Sequence, residues 1–217
     1  MLNNISIKIY RDILHENNSI ARENKSLLKN KMIKMFNLIG SPGAGKTSLL
    51  EGLNKHLLNK KIRFAVLEGD VETTRDSERL DKLGIKVSQL LTGGSCHLEA
   101  SLIHQALNDL DLSAIKLIFV ENVGNMVCPA EFDLGEDAKI AVLSVTEGED
   151  KPIKYPLLFH EAKAVIITKT DLLPHLKYDL DSTIGFIHEI NSKIKIFQVS
   201  ALMDRGILDF CEWIINY

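Results

Sequence analysis

The sequence predicts an α/β fold, a mainly parallel central sheet flanked by helices, and three observations carry that reading. Apolar runs of strand length recur without polar alternation, which marks strands buried on both faces. These runs alternate with segments of helical periodicity. The first of them leads into Gly40-Ser41-Pro42-Gly43-Ala44-Gly45-Lys46-Thr47, two glycines separated by four residues and followed by Lys and Thr, with an amphipathic stretch behind it.

Taken in order, residues 1–34 are polar, lysine-rich and free of Gly and Pro, with Ile13, Ile20 and Leu27 at seven-residue intervals. That spacing predicts a helical N-terminal extension packed on the domain formed by 35–217. Residues 35–39 form the first strand, and 48–58 a helix with Leu49, Leu50, Leu53, Leu57 and Leu58 on one face. Strands follow at 64–68, 86–91, 117–120, 140–145, 164–168 and 194–199. Helices are expected over 73–83, closed by Gly84, and over 96–107, 179–191 and 206–215. No internal repeat or low-complexity linker divides the chain, and ligands in such a sheet bind at the carboxyl ends of the strands.

The 217 residues suit one domain with a sizeable core. A net charge of -3 gives no bulk attraction to nucleic acid or to an anionic membrane. The sequence has no apolar run of spanning length and no signal-peptide core, so a cytoplasmic protein is expected, without nucleic-acid or membrane partners. Cys96, Cys128 and Cys211 are too few for a disulfide framework and read as metal, redox or core thiols.

The glycine-rich stretch has the composition of a phosphate grip. Glycines at 40, 43 and 45 let several backbone N–H groups approach phosphate oxygens together, and the following helix N-terminus adds its unpaired donors. Gly43, Ala44, Gly45, Lys46, Thr47 and Ser48 are therefore the expected phosphate contacts, with Lys46 on the β and γ phosphates and the Thr47 hydroxyl on Mg²⁺. Asp70 and Glu121 end strands on the same edge and are candidates for holding Mg²⁺ or orienting water, and Gly124 lets an N–H approach the γ-phosphate. Thr168-Lys169-Thr170-Asp171 resembles the base-recognition motif of GTPases, with Thr where Asn is usual. The Asp171 carboxylate suits the two donors on the Watson–Crick edge of guanine, a pair adenine lacks, and the Lys169 stem can cover the base. Ser200, Ala201 and Leu202 match the second base-contacting loop.

Cys96-His97 follows Gly93-Gly94-Ser95 at an expected helix start, where the helix field favours a thiolate. Cys128 lies four residues past Gly124, and Pro129 biases it toward an extended backbone. Two thiolates and an imidazole suit Zn²⁺ or Ni²⁺, with a second subunit or water completing the coordination; buried or incidental thiols remain the alternative. Lys151 and Lys154 fit a nucleotide or partner contact and a solvated loop equally well. His104 reads as a helix-surface residue and Cys211 as core.

The segments 69–76 (GDVETTRD), 92–100 (TGGSCHLEA), 121–129 (ENVGNMVCP) and 147–156 (EGEDKPIKYP) resemble HypB, the nickel-incorporation GTPase family of hydrogenase maturation, related to UreG. The resemblance runs from Met35 to the C-terminus. It implies a P-loop NTPase of the SIMIBI class that uses GTP/GDP and Mg²⁺ and forms a homodimer when GTP-bound. It further implies Cys96, His97 and Cys128 as nickel or zinc ligands at the subunit interface. Partners implied are a HypA-type nickel accessory protein and the hydrogenase large-subunit precursor. The N-terminal cysteine-rich or histidine-rich metal sites of some members have no counterpart in this sequence. Rival expectations are a nucleotide-regulated nickel or zinc storage module, a urease-directed GTPase and a small-molecule kinase.

Overall fold

A computed structural model describes the backbone of residues 3–70 and 75–217, and the side chains of 14–69 and 75–217. Seven strands form one sheet in the order β3-β2-β4-β1-β5-β6-β7, and every neighbouring pair is parallel. They are β1 (Lys34–Ile39), β2 (Phe64–Asp70), β3 (Lys86–Leu91), β4 (Leu117–Glu121), β5 (Ala138–Ser144), β6 (Ala164–Thr168) and β7 (Lys195–Gln198). The first strand in sequence is thus the central one in space, with the chain filling the sheet to one side of it and then to the other. Loops after β1, β4, β6 and β7 converge on one edge, where open parallel sheets bind ligands.

The helices are α1 (Asn3–Asn30), α2 (Lys46–Asn59), α3 (Arg75–Asp81), α4 (Ala100–Asp109), α5 (Cys128–Glu131), α6 (Lys151–Lys154), α7 (Pro156–Glu161), α8 (Leu180–Ile190) and α9 (Ile207–Asn216). A 3-10 turn, Thr170–His175, follows β6. One face of the sheet packs on α2 and α9, so that Phe36, Leu38 and Phe119 meet Leu49, Leu53, Phe210 and Cys211, a thiol in the core as expected. The opposite face is covered in two parts. α1 and α4 lie over Met35, Leu67 and Ile118, while α7 and α8 lie over Ala141, Val165 and Ile167. Leu53 is fully buried, and truncation to Ala there costs about 2–5 kcal/mol.

Three expectations shift. Leu58 is 50 % exposed, because α2 turns it off the face shared by Leu49, Leu50, Leu53 and Leu57. On α1 the buried stripe is Asn17, Ala21, Asn24 and Leu28, one residue beyond the apolar stripe, while Ile20 and Leu27 are only half-buried and the Ile13 side chain lies outside the described residues. Helix α4 begins at Ala100 instead of Cys96, leaving Cys96 and His97 in a loop. Residues 71–74, including the expected helix start at Thr73, lie outside the described residues. Among the described residues, no helix is long and apolar enough to cross a membrane.

Candidate nucleotide and metal site

The glycines of the loop between β1 and α2 have two distinct duties. Gly43 and Gly45 adopt positive φ angles of 76° and 91°, which L side chains rarely take. Gly40 serves packing instead, since a Cβ there would lie 2.3 Å from the Val142 carbonyl oxygen on β5. The loop delivers Lys46 and Thr47 to the first turn of α2, both buried. Lys46 Nζ donates to the carbonyls of Gly40 and Ser41, each at 3.3 Å. Thr47 Oγ1 donates to Glu121 Oε1 at 2.8 Å across to the end of β4.

Glu121 Oε2 is buried and makes no hydrogen bond. Burial is the main reason its carboxyl is pushed up to about 7, with Lys46 and Thr47 opposing and Glu68 adding to the shift. A desolvated carboxylate next to a hydroxyl, with one oxygen unpartnered, fits a hard divalent cation such as Mg²⁺. The Asp70 backbone closes β2, but its side chain lies outside the described residues. Glu68, the last residue of the expected strand 64–68, is not among the expected site residues, which take Asp70 beyond it instead. It pairs with Glu121 in register on β2, is buried, accepts from Ser77 on α3, and lines the same cleft. A lone carboxylate inside an apolar strand run was the signal for it. Asp76 and Arg79 of α3 also line this cleft, with Arg79 bonded to Asp76 and Glu51, each at 2.7 Å, and to Ser48 at 3.3 Å.

A second, more apolar cleft continues from the first, and Gly45, Ser48 and Lys169 line both. Its other walls are Leu49, Thr168, Asp171, Leu172, Val199, Ala201 and Leu202. Thr168 Oγ1 donates to Ala44 O at 2.6 Å, so the residue standing where Asn is usual still braces the phosphate loop. Lys169, at φ 58°, reaches Gly43 O with Nζ at 2.7 Å. Ser200 Oγ donates to Asp171 Oδ1 at 2.5 Å, which holds the carboxylate at the cleft edge. Leu202 is 82 % exposed beside it. Lys151 Nζ donates to Ser41 Oγ at 3.0 Å and pairs with Glu147 at 3.1 Å, which ties it to the phosphate loop. Lys154, at the end of α6, pairs with Asp150, and both side chains are exposed.

Loops after β3 and β4 bring together three residues of metal-binding type. Cys96 Sγ lies 2.9 Å from Cys128 Sγ and 3.7 Å from His97 Nδ1, and the three ligand atoms are all within 4.8 Å of one another. The helix-field argument for Cys96 does not hold, because α4 starts four residues later. Its thiol is raised, first by the hydrogen bond to Cys128. The extended-backbone expectation for Cys128 also fails: it opens the short helix α5, with Pro129 in the first turn, where a missing N–H costs nothing. The His97 ring stacks on Phe132 with centroids 3.9 Å apart, a contact nothing in the spacing announces. Burial lowers the His97 pKa and so favours the neutral, ligating imidazole. His104 is half-buried on α4, outside the Cys96, His97 and Cys128 cluster, and its Nδ1 pairs with Asn24 Oδ1 of α1 at 2.8 Å.

Residues 121–128 join the two halves of the site. A Cβ on Gly124 would fall 2.6 Å from the Pro42 ring, so this loop lies directly on the phosphate loop. Ser41 Oγ contacts Met126 Sδ at 3.3 Å. On the other side, Asn125 Nδ2 donates to Cys96 O at 3.2 Å. Asn122 Oδ1 accepts from Val123 N–H at 3.0 Å and Leu98 N–H at 3.4 Å, while Nδ2 donates to Asn37 Oδ1 on β1 at 3.1 Å.

Sheet, phosphate loop and the paired clefts define a P-loop nucleotide-binding protein. Residues 34–198 match the family described as CobW/HypB/UreG, nucleotide-binding domain. The chain is 45 % identical over 208 residues to the hydrogenase maturation factor HypB of Azotobacter vinelandii, spanning 96 % of this chain and 68 % of that one. To HypB of Escherichia coli K12 it is 42 % identical over 209 residues, spanning 96 % and 71 %. It superposes on Helicobacter pylori HypB in complex with nickel with a TM-score of 0.88 at 36 % identity, covering 93 % and 94 % of the two chains. The chain belongs to the HypB family.

Proposed function

We propose that this chain is a GTP-hydrolysing metallochaperone that couples nucleotide turnover and GTP-dependent dimerisation to nickel delivery during [NiFe]-hydrogenase maturation. The observation that carries the reading is the 121–128 strip, which touches Thr47 through Glu121, lies on Pro42 at Gly124, and ends on Cys128 beside Cys96. A change in the phosphates thereby reaches the metal ligands within a few residues. The nickel-complexed relative supports nickel as the cargo, and the soft donor set accommodates Zn²⁺ as well.

In this reading, Gly43, Ala44, Gly45 and Ser48 supply backbone and hydroxyl donors to the phosphates, and Lys46 turns from its carbonyl partners to the β and γ oxygens. Thr47 and Glu121, with Asp70, would hold Mg²⁺, which when bound neutralises charge on the phosphate oxygens. Asp171 selects guanine through its two Watson–Crick-edge donors, oriented by Ser200, while Ala201, Leu202 and the Lys169 stem cover the base. Water attacks the γ-phosphorus and the bond to the β–γ bridging oxygen breaks, giving GDP and phosphate. Loss of the γ-phosphate releases the 121–128 strip and alters the spacing of Cys96, His97 and Cys128. Three ligands underfill a closed site, so a second copy of the chain in the GTP state completes it. The receiving partners are a HypA-type accessory protein and the hydrogenase large-subunit precursor.

The deciding experiment is equilibrium nickel binding together with solution mass, measured with a non-hydrolysable GTP analogue and with GDP. The reading expects a dimer and tighter nickel with the analogue. Equal mass and affinity in both states would remove the switch and leave the storage module.

A further inference from the structure

Two asparagines sit on the buried face of α1, Asn17 at 6 % and Asn24 at 0 % exposure. A buried amide is costly unless its donors and acceptor are satisfied. Here the partners are concentrated on two short stretches of backbone. Asn17 Nδ2 donates to Asp133 O at 2.7 Å, and Asn17 Oδ1 accepts from Ala100 N–H at 2.9 Å. Asn24 Nδ2 donates to Ala100 O at 2.9 Å and to Leu134 O at 3.1 Å, while its Oδ1 pairs with His104 on α4. At Gly135, with φ 89°, a Cβ would fall 2.4 Å from the Ala21 carbonyl, so helix and loop touch backbone to backbone.

The stretches so joined are the ones that carry the metal ligands. Ala100 follows Cys96 and His97, while Asp133 and Leu134 follow Cys128 and Phe132, the ring on which His97 is stacked. Apolar residues at 17 and 24 could dock the helix, but they would leave the Ala100 N–H and the Ala100, Asp133 and Leu134 carbonyls without these partners and would make no bond between the two loops. The asparagines add a fixed spacing between the two loops.

We propose that α1 positions the metal site, with Asn17 and Asn24 holding the 96–100 and 128–134 segments at the separation that brings Cys96, His97 and Cys128 together. This rests on the reading of those three residues as nickel ligands. The asparagines are positioning residues and touch no metal themselves. The N-terminal helix thereby belongs to the metal-binding unit and not only to the scaffold.

The test uses the full chain with Asn24→Leu, which keeps the branched shape, though with bulkier methyls, and removes every side-chain hydrogen bond of that residue, and with Asn17→Ala. Nickel affinity is read by competition with a chromophoric chelator and by thiolate-to-nickel charge-transfer absorption. Binding of a fluorescent GDP analogue and thermal unfolding are measured alongside. Expected are a loss of about tenfold or more in nickel affinity and a weakened charge-transfer band, with GDP affinity held within about twofold. A folded variant of either kind that binds nickel as the parent does overturns the proposal, since α1 is then only docked. Parallel losses of nickel and GDP affinity overturn it too, as general loosening. If Asn24→Leu fails to fold, Asn17→Ala, which leaves the Asn24 bonds in place, decides alone. Cys128→Ser separates the two layers. If it binds nickel like the parent, the ligand assignment fails and the clamp with it; if it loses nickel while the asparagine variants keep it, only the clamp fails.

Discussion

The nucleotide cleft and the candidate metal site share one edge of the sheet but are made of different materials. The cleft is mostly backbone: a contiguous loop with Gly43 and Gly45 at positive φ, a helix N-terminus, and loop carbonyls braced by Lys46, Thr168 and Lys169. The candidate metal site is side chains: two thiols and an imidazole from loops after β3 and β4, which Phe132, Asn122 and the asparagines of α1 contact. The turns of the phosphate loop are set by its local sequence, even though Thr168 and Lys169 brace it from far along the chain. A side-chain site of this kind depends on contacts more than eighty residues apart, as between Asn17 and Ala100. The first should therefore fail through single chemical groups, and the second should weaken by degrees as its supports are removed.

The largest effect expected is from Lys46→Ala. It removes the charge aimed at the β and γ phosphates and should lower the GTP hydrolysis rate by about 10²–10³-fold, measured as phosphate release at saturating GTP. Nickel affinity in the nucleotide-free protein should not change. A joint loss of both would mean that the two regions are one site.

Cys128→Ser comes next. It replaces a soft ligand with a poor one and should abolish stoichiometric nickel binding at micromolar metal while leaving GDP affinity intact, with calorimetry reading both. Smaller again is Phe132→Leu, which leaves all three ligands but takes away the ring under His97. The expected cost is about tenfold in nickel affinity, the usual scale for an outer-shell contact. An unchanged affinity would show that the stack is incidental.

The same contrast explains what could be read from the sequence. The strands, the phosphate loop and the Thr168–Asp171 loop announce themselves through local composition, and the structure moves their ends by only a residue or two. Thr168 is instructive: its departure from the usual Asn pattern left its role open, and the contact with Ala44 O shows that a hydroxyl does the bracing. The grouping of Cys96, His97 and Cys128 was accessible through family resemblance, but the local physics attached to it was not. Neither the helix field at Cys96 nor the extended backbone at Cys128 survives, because α4 starts four residues later than expected and Cys128 opens a short helix, α5, that was not expected. Glu68, Phe132 and the α1 asparagines act only through distant partners. On α1 the apolar stripe misled, since the face that docks is the one carrying Asn17 and Asn24.

Glu136 lies on the seam between the two regions and supplies the finest test. Its Oε1 accepts from Asn37 Nδ2 on β1 at 3.2 Å, and its Oε2 accepts from the Leu134 N–H of the α1-clamped loop at 2.6 Å. Burial raises its pKa, opposed by Lys139 and reinforced by Asp133. Because the folded value lies above the unfolded one, the protonated acid is the form the fold prefers. As pH climbs past the unfolded value of 4.5 the unfolded chain gives up its proton first. Stability is therefore lost with rising pH until the folded carboxyl ionises as well. Glu136→Gln removes that dependence. It also exchanges one acceptor for a donor facing Asn37, whose Oδ1 is already held by Asn122, so a stability difference at a single pH mixes two effects. The difference between pH values isolates the ionisation. The melting temperature of the variant should gain on that of the parent between pH 5 and pH 8, followed by calorimetry at both. A constant offset would mean that Glu136 carries its charge in the folded protein across this range, held by Asn37 and Leu134. The seam would then belong to the metal side's network of fixed hydrogen bonds.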